Sequence, residues 1–251
     1  MLALTRLSQH ATPEGFPKYG YLLEYKSTPV GVILLIFSPI LEDRVKTIRC
    51  SVSSWYVEPS FRCYAPILAS RALKHKDVTY FNITPRQHTH PILEAQGWVR
   101  YSAGRLLSVP TLSSPSYGCR VKAVRPDIRP GDDLPSFEVE LLLAHASYGC
   151  MSLICSSASG RYPFVFMRRK KFGLPVAYLA YCRDLKEFVR FAGPLGRFLL
   201  TRGFALVVLD CNGPISGLIG LYSDGFPRYF RGPVPPRLGD YSYSERAMFG
   251  I

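Results

Sequence analysis

One spacing organises this chain. Arg62 in "FRCYAPIL" and Arg190 in "VRFAGPLG" stand 128 positions apart, and each is followed four residues later by a proline, Pro66 or Pro194. The same offset carries Gly97, Arg100, Tyr101 and Gly104 onto Gly225, Arg228, Tyr229 and Gly232. Both halves therefore contain G-[WF]-x-R-Y-x-x-G, beginning 35 residues after the arginine. Between Arg62 and Gly104 seven positions are identical at this offset, where ordinary composition gives on the order of two or three. The matches cluster at two turn-like sites and leave the apolar segments between them free to drift, which is the pattern of an internal duplication. A duplicated chain of 251 residues is expected to fold as two units.

A hydrophobic fraction of 47% supplies packed cores and excludes a disordered chain. The longest apolar stretch, "VGVILLIFSPIL" from Val30, is too short to span a bilayer and contains a proline. The opening "MLALTRLSQH" has neither the apolar region nor the cleavage site of a secretory signal. Seven cysteines, odd in number and without a C-x-x-C, point to a reduced cytoplasmic protein rather than a disulfide or zinc scaffold. "HTH", His88 to His90, has no second ligand group nearby in sequence, so no metal is expected there. The net charge of +13 suits nucleic acid or a phosphorylated small molecule equally well. Only "RRKK", Arg168 to Lys171, is a dense basic run, so nucleic acid is possible but not the favoured partner.

The segments repeat in order. A helix over 2–10 is followed by two strands, "YGYLLEY" and "PVGVILLIF", and a third, "TIRCSVSSWYV". "PILASRALK" is a helix with Pro66 in its first turn, "VTYFNIT" a buried strand, "HPILEAQ" a short helix stopped by Gly97, and "WVRYS" a strand. The Ser/Pro-rich residues 109–116 read as a linker between a first unit, 1–108, and a second, 117–251. In the second unit "CRVKAV" is a strand and "PSFEVELLLAHA" a helix, followed by the strands "MSLICSS", "PFVFMRR" and "PVAYLAYC". Pro194 to Arg202 then reads as a helix, "FALVVLDC" as a strand, "ISGLIGLYSD" as a helix stopped by Gly225, and "YSYSERAMF" as a closing strand.

This order, with these motifs, resembles the GNAT superfamily of acyl-CoA-dependent N-acyltransferases, in tandem. The family signature is V-x-P-x-x-[RQ]-x-x-G-x-[GA]. Val57, Pro59 and Arg62 match it in the first unit, with Ala65 and Ile67 in place of the glycines; Arg190 and Gly193 match it in the second, with Gly196 one residue late. "LEAQGW" and "LYSDGF" resemble the later Y-x-x-x-G-F signature, with Leu93 and Leu221 at the tyrosine position and Tyr222 beside it. The resemblance implies an α/β (α+β) fold of two tandem GNAT-like domains, each a mixed, mostly antiparallel sheet flanked by helices. The first is abbreviated at its start and degenerate, and the second holds the cofactor.

In such folds adjacent parallel strands splay and the acyl-pantetheine arm enters the gap as an added strand. Tyr178 to Cys182, including Tyr181, would form one lip and Val207 to Cys211 the other. A loop running into a helix start presents unpaired N–H groups to a pyrophosphate. Arg190, Gly193, Leu195, Gly196 and Arg197 are expected to form that cradle. Tyr222 is the candidate acid for the departing thiolate, and Asp184 and Glu187 are the candidate bases. Their structural alternatives are an aromatic packing residue and helix N-terminal carboxylates. The implied activity is direct acyl transfer from a coenzyme A thioester, acetyl-CoA or longer, to a small-molecule amine or hydroxyl acceptor. Two alternatives remain. A Fem-like transferase would take an aminoacyl-tRNA donor, and a binding or scaffold protein would keep the fold after losing the chemistry.

Overall fold

Apolar alternation along the strands and two left-handed residues at a hairpin set the first unit. The computed structural model describes residues 2–42, 45–113, 118–171 and 173–250. Its chain forms two compact units. The first comprises Met1–Tyr101, Arg228–Pro236 and Tyr243–Phe249, and the second is built on Ser102–Pro227 and Arg237–Ser242.

The first unit opens with helix α1 (Leu2–Gln9), strands β1 (Gly20–Tyr25) and β2 (Thr28–Glu42), and strand β3 (Val45–Val57). Lys26 and Ser27, at φ 48° and 64°, make the two-residue turn between β1 and β2, as a right-twisted hairpin requires. A 3-10 turn, Pro59–Tyr64, leads into α2 (Ala65–Ala72), then β4 (Val78–Asn82), α3 (His90–Ala95) and β5 (Val99–Ser108). β3 and β4 run parallel, paired from Ile48↔Val78 to Ser51↔Phe81. Alternate residues of β3 face opposite ways. Cys50 and Val52 join Leu35, Phe37, Leu68, Val78 and Tyr80 in the apolar core, whereas Arg49, Ser51 and Ser53 are buried polar residues of the other face.

β5 begins in the first unit and ends in the second, where it pairs with β10 (Leu206–Cys211). The second unit also holds β6 (Arg120–Ala123), α4 (Ser136–Ser147), β7 (Met151–Ser157), β8 (Gly160–Lys171), β9 (Leu174–Tyr181) and α5 (Leu185–Leu200). Its strand order is β5-β10-β9-β8-β7-β6. β9 and β10 are its parallel pair, from Val176↔Leu206 to Tyr178↔Val208. The first parallel pairs, Ile48↔Val78 and Val176↔Leu206, are related residue for residue by the 128-position offset of the sequence repeat. The last strand, β11 (Gly220–Arg231), starts in the second unit and ends in the first, where Tyr229↔Asn82 pairs it with β4. Helix α6 (Glu245–Phe249) belongs to the first unit.

Three expectations are corrected. "ISGLIGLYSD" is not a helix: β11 begins within it at Gly220. Partner strand β5 decides the matter, because Gly220 and Gly104 allow close backbone approach. A Cβ on Gly220 would lie 2.4 Å from the Leu107 carbonyl oxygen, and one on Gly104 2.5 Å from that of Ser223. "YSYSERAMF" is not a strand either. It turns at Tyr243 (φ 55°) into α6, with Ser244 Oγ accepting from the Ala247 N–H at 3.4 Å, an ordinary helix cap.

The third correction is the largest. α5 begins at Leu185, capped by Asp184, and Pro194 lies inside it. A proline inside a helix costs about 3 kcal/mol. Phe188, Phe191, Leu195 and Leu199 are all fully buried by this helix, at about 2 kcal/mol each, so the burial outweighs the break. Of the expected linker, Pro110–Leu112 forms a 3-10 turn, while 114–116 lie outside the described residues. That turn packs on α5 at Gly196, where a Cβ would lie 2.6 Å from the Thr111 nitrogen. Gly196→Val is therefore expected to cost about 1–3 kcal/mol through overpacking, read as a lower urea midpoint with an unchanged m-value.

Candidate functional site

Each unit contains a fork where its two parallel strands stop pairing, and an irregularity in the first strand follows directly. In the first unit the β2 register shifts between Val32, opposite Tyr56, and Leu34, opposite Ser53. The extra residue places Ser54 at φ 47°. In the second, Val165 faces Tyr181 but Phe166 faces Leu179, so Ala180 is the extra residue. Such bulges twist a strand away from its neighbour.

The second fork is filled by the chain itself. β8 takes one edge of Tyr181, and the segment 239–241 takes the other. The Cys182 N–H donates to the Gly239 carbonyl at 2.9 Å and the Tyr241 N–H to that of Ala180 at 2.7 Å, with Asp240 bridged to Tyr181. Arg237 clamps the segment. Its guanidinium donates to the carbonyl oxygens of Cys182 and Arg183, the latter at 2.6 Å, pairs with Asp240 at 3.3 Å, and lies over the Tyr181 ring. Asp240 in turn accepts from the N–H and hydroxyl of Ser242 at 3.0 and 2.6 Å.

Several of the expected site residues gather at this junction. The Tyr181 hydroxyl donates to Glu138 at 2.9 Å, and Arg183 grips the same carboxylate at 2.7 and 2.5 Å. Burial pushes the Tyr181 hydroxyl and the Cys182 thiol well up. Asp184 accepts from the Lys186 N–H at 2.8 Å, the helix-cap role. Glu187 is raised by burial, opposed by Arg183, and its Oε2 is buried without a hydrogen-bond partner among the described residues.

The others lie apart from that junction. Gly193, Leu195 and Gly196 are buried within α5, past its first turn, so their N–H groups are not the free donors of a helix start. Arg190 points to Ser159 Oγ at 3.0 Å and over the Phe191 ring at 4.9 Å, and Arg197 is exposed in the last turn. Tyr222 is on β11, its hydroxyl donating to Asp224 at 3.3 Å and raised by burial and that carboxylate.

The first fork differs. β3 continues past Ser51 to Val57 with β2 alone as its strand partner, and β4 ends at Asn82. Among the described residues no backbone hydrogen bond from another segment reaches Val52–Val57 on the β4 side. Beyond Val57 comes the exposed turn that carries Pro59, Ser60 and Arg62, and then α2. This is the arrangement of strand end, turn and helix that the signature residues Val57, Pro59 and Arg62 imply.

Glu245, missed by the sequence reading, stands at this fork. Its carboxylate accepts from the Thr84 hydroxyl and from Ser53, and its N–H donates to Ser51 Oγ at 3.4 Å. Ser244, a helix-capping residue type directly before Glu245, was the available signal.

No family model and no curated protein matches this sequence. Solved structures do. A GCN5-related N-acetyltransferase from Anabaena variabilis superposes with a TM-score of 0.54 at 8% identity, over 84% of this chain and 61% of its own. This chain thus spans less than two thirds of that protein's length. A Pyrococcus horikoshii protein described as a candidate acetyltransferase gives 0.51 at 10% identity, over 96% of this chain and 82% of its own. The parallel strand pairs and these superpositions agree: the chain has the fold of the GCN5-related (GNAT) N-acetyltransferases.

Proposed function

We propose that the protein is an acyltransferase that moves an acyl group from a coenzyme A thioester to an amine or hydroxyl acceptor, with the thioester held in the fork of the first unit. The open β3 edge carries this reading. An extended arm with amide groups pairs with a free strand edge as a peptide does, and Val52–Val57 offers such an edge. In the second unit the same edge is already taken by 239–241. The site thus lies in the first unit rather than in the second, to which the signature glycines Gly193 and Gly196 pointed. Arg62, exposed in the turn after β3, is the phosphate-facing cation. Ala65 and Ile67 are bulkier than the family's glycines, so the phosphates would lie on the outside of the turn. A small-molecule acceptor is the implied partner. No helix among the described residues is long and apolar enough to cross a membrane.

Calorimetric titration with coenzyme A, acetyl-CoA and a long-chain acyl-CoA tests this. Saturable binding is expected at one molecule per chain. Arg62→Glu should weaken it about tenfold to a hundredfold, the worth of one charge-assisted phosphate contact, and Arg190→Glu should leave it unchanged. The opposite pattern would return the site to the second unit. No binding by any of the three would leave a non-catalytic binding fold, or an aminoacyl-tRNA donor if a salt-dependent tRNA complex forms instead.

A further inference from the structure

We infer that Glu245 is the base that accepts the proton of the attacking acceptor in the first unit, an inference that rests on the acyl-transfer reading above. Its position is the first observation. Ser51 is the last residue of β3 paired to β4, Ser53 lies two residues beyond it, and Thr84 follows the end of β4. Glu245 touches all three. Its carboxylate thus links Ser53 of β3 to Thr84, two residues past the end of β4, at the point where the fork opens. Isolation is the second observation: among the described residues of the first unit it is the one acidic side chain that is fully buried, at 2% exposure.

The surrounding charges define its state. Arg228 of β11 and Arg246 beside it in α6 pull the carboxyl down, as do Ser53 and Thr84, yet burial prevails and raises it. Arg49 is also buried, on the same face of β3 as Ser51, and lies over the Phe81 ring. His10, after α1, bonds to Ser38 and the Phe37 carbonyl and is lowered by burial. A carboxylate kept only to neutralise an arginine is held low. One that burial raises above its ordinary value exchanges a proton more readily.

In the step itself the acceptor nitrogen's lone pair forms the new N–C bond, and its proton passes to the Glu245 carboxylate. The C–S bond breaks with its electron pair on sulfur. The proton held by Glu245 then passes to that sulfur, directly or through water, leaving the amide and free coenzyme A thiol.

The test measures thiol release from acetyl-CoA by the whole chain, with a panel of primary amines and with water alone as acceptors, from about pH 5 to about pH 9. Binding of acetyl-CoA is measured in parallel by calorimetry. Glu245→Gln is expected to bind acetyl-CoA like the parent but release thiol at least about a hundredfold more slowly. The rise of the parent's kcat/KM with pH should also disappear. Glu245→Asp should keep the pH limb at reduced rate. A folding defect is recognised separately. A buried carboxyl with a raised pKa favours the folded state below its unfolded value of 4.5 and loses that advantage as pH rises. Glu245→Gln should therefore melt no lower than the parent at pH 7. Unchanged turnover and pH limb in Glu245→Gln overturn the assignment, and so does a parent that binds acetyl-CoA but releases no thiol with any acceptor. A parent that binds no acetyl-CoA instead defeats the acyl-transfer reading itself.

Discussion

Gly239→Val is expected to be among the most damaging single substitutions in the second unit. Gly239 holds φ at +82°, and a Cβ there would lie 2.7 Å from the Cys182 sulfur and 3.1 Å from Leu185 Cδ2. The left-handed backbone costs a branched residue about 1–2 kcal/mol, and overpacking beside the fully buried Cys182 adds about 1–3 kcal/mol. The sum, roughly 3 kcal/mol, is a large share of a domain's stability. Hydrogen exchange gives the sharper readout, because the amides of Cys182 and Tyr241 bond across to and from this segment. Their protection should fall before that of β7 or β10. A variant with parental stability and unchanged protection at both amides would show that 239–241 does not hold the fork.

Arg183→Met is expected to cost about 3 kcal/mol, because it strands the Glu138 carboxylate, whose side chain is 2% exposed. Removing one partner of a buried pair is far more costly than removing both. Arg183 also donates to the Asp133 carbonyl at 2.6 Å, so its loss frees the segment ahead of α4. The Tyr181 hydroxyl remains on Glu138 and softens the effect. The double variant Arg183→Met with Glu138→Leu should recover a large part of the loss, and a coupling energy above about 1 kcal/mol is expected from the cycle. Additive effects would mean that the pair is not coupled. Arg183, with Arg237, also holds the neighbouring Glu187 carboxyl down against its burial, so the same variant should raise Glu187 further.

Much of the architecture could be read from local pattern. "MSLICSS" is β7 and "PSFEVELLLAHA" is α4, because each is a single run with one period and clear ends. The arginine phrase was harder. The repeat is real as a spacing, since the parallel pairs at Ile48 and Val176 obey it. Gly193-Pro194, however, reads as a break in any one-dimensional scan. It is a helix interior only because four buried apolar residues on α5 outweigh the lost hydrogen bond. Gly196 likewise looked like a phosphate glycine, and it is small because the backbone of Pro110 and Thr111 crosses there.

By itself, the sequence determined the spacing of the repeat, the strand and helix order as far as β10, and the turn residues Val57, Pro59 and Arg62. All of these are properties of spacing and local chemistry. Only the tertiary structure decided which fork stays open. That choice depends on Gly239–Tyr241 pairing with Ala180–Cys182 more than fifty residues away, and the lining of the open fork depends on Glu245 reaching Ser53 and Thr84 from a distant segment. Backbone pairing uses N–H and C=O groups that every residue except proline carries. A sequence therefore shows which segments can add to a strand edge, but not which one does.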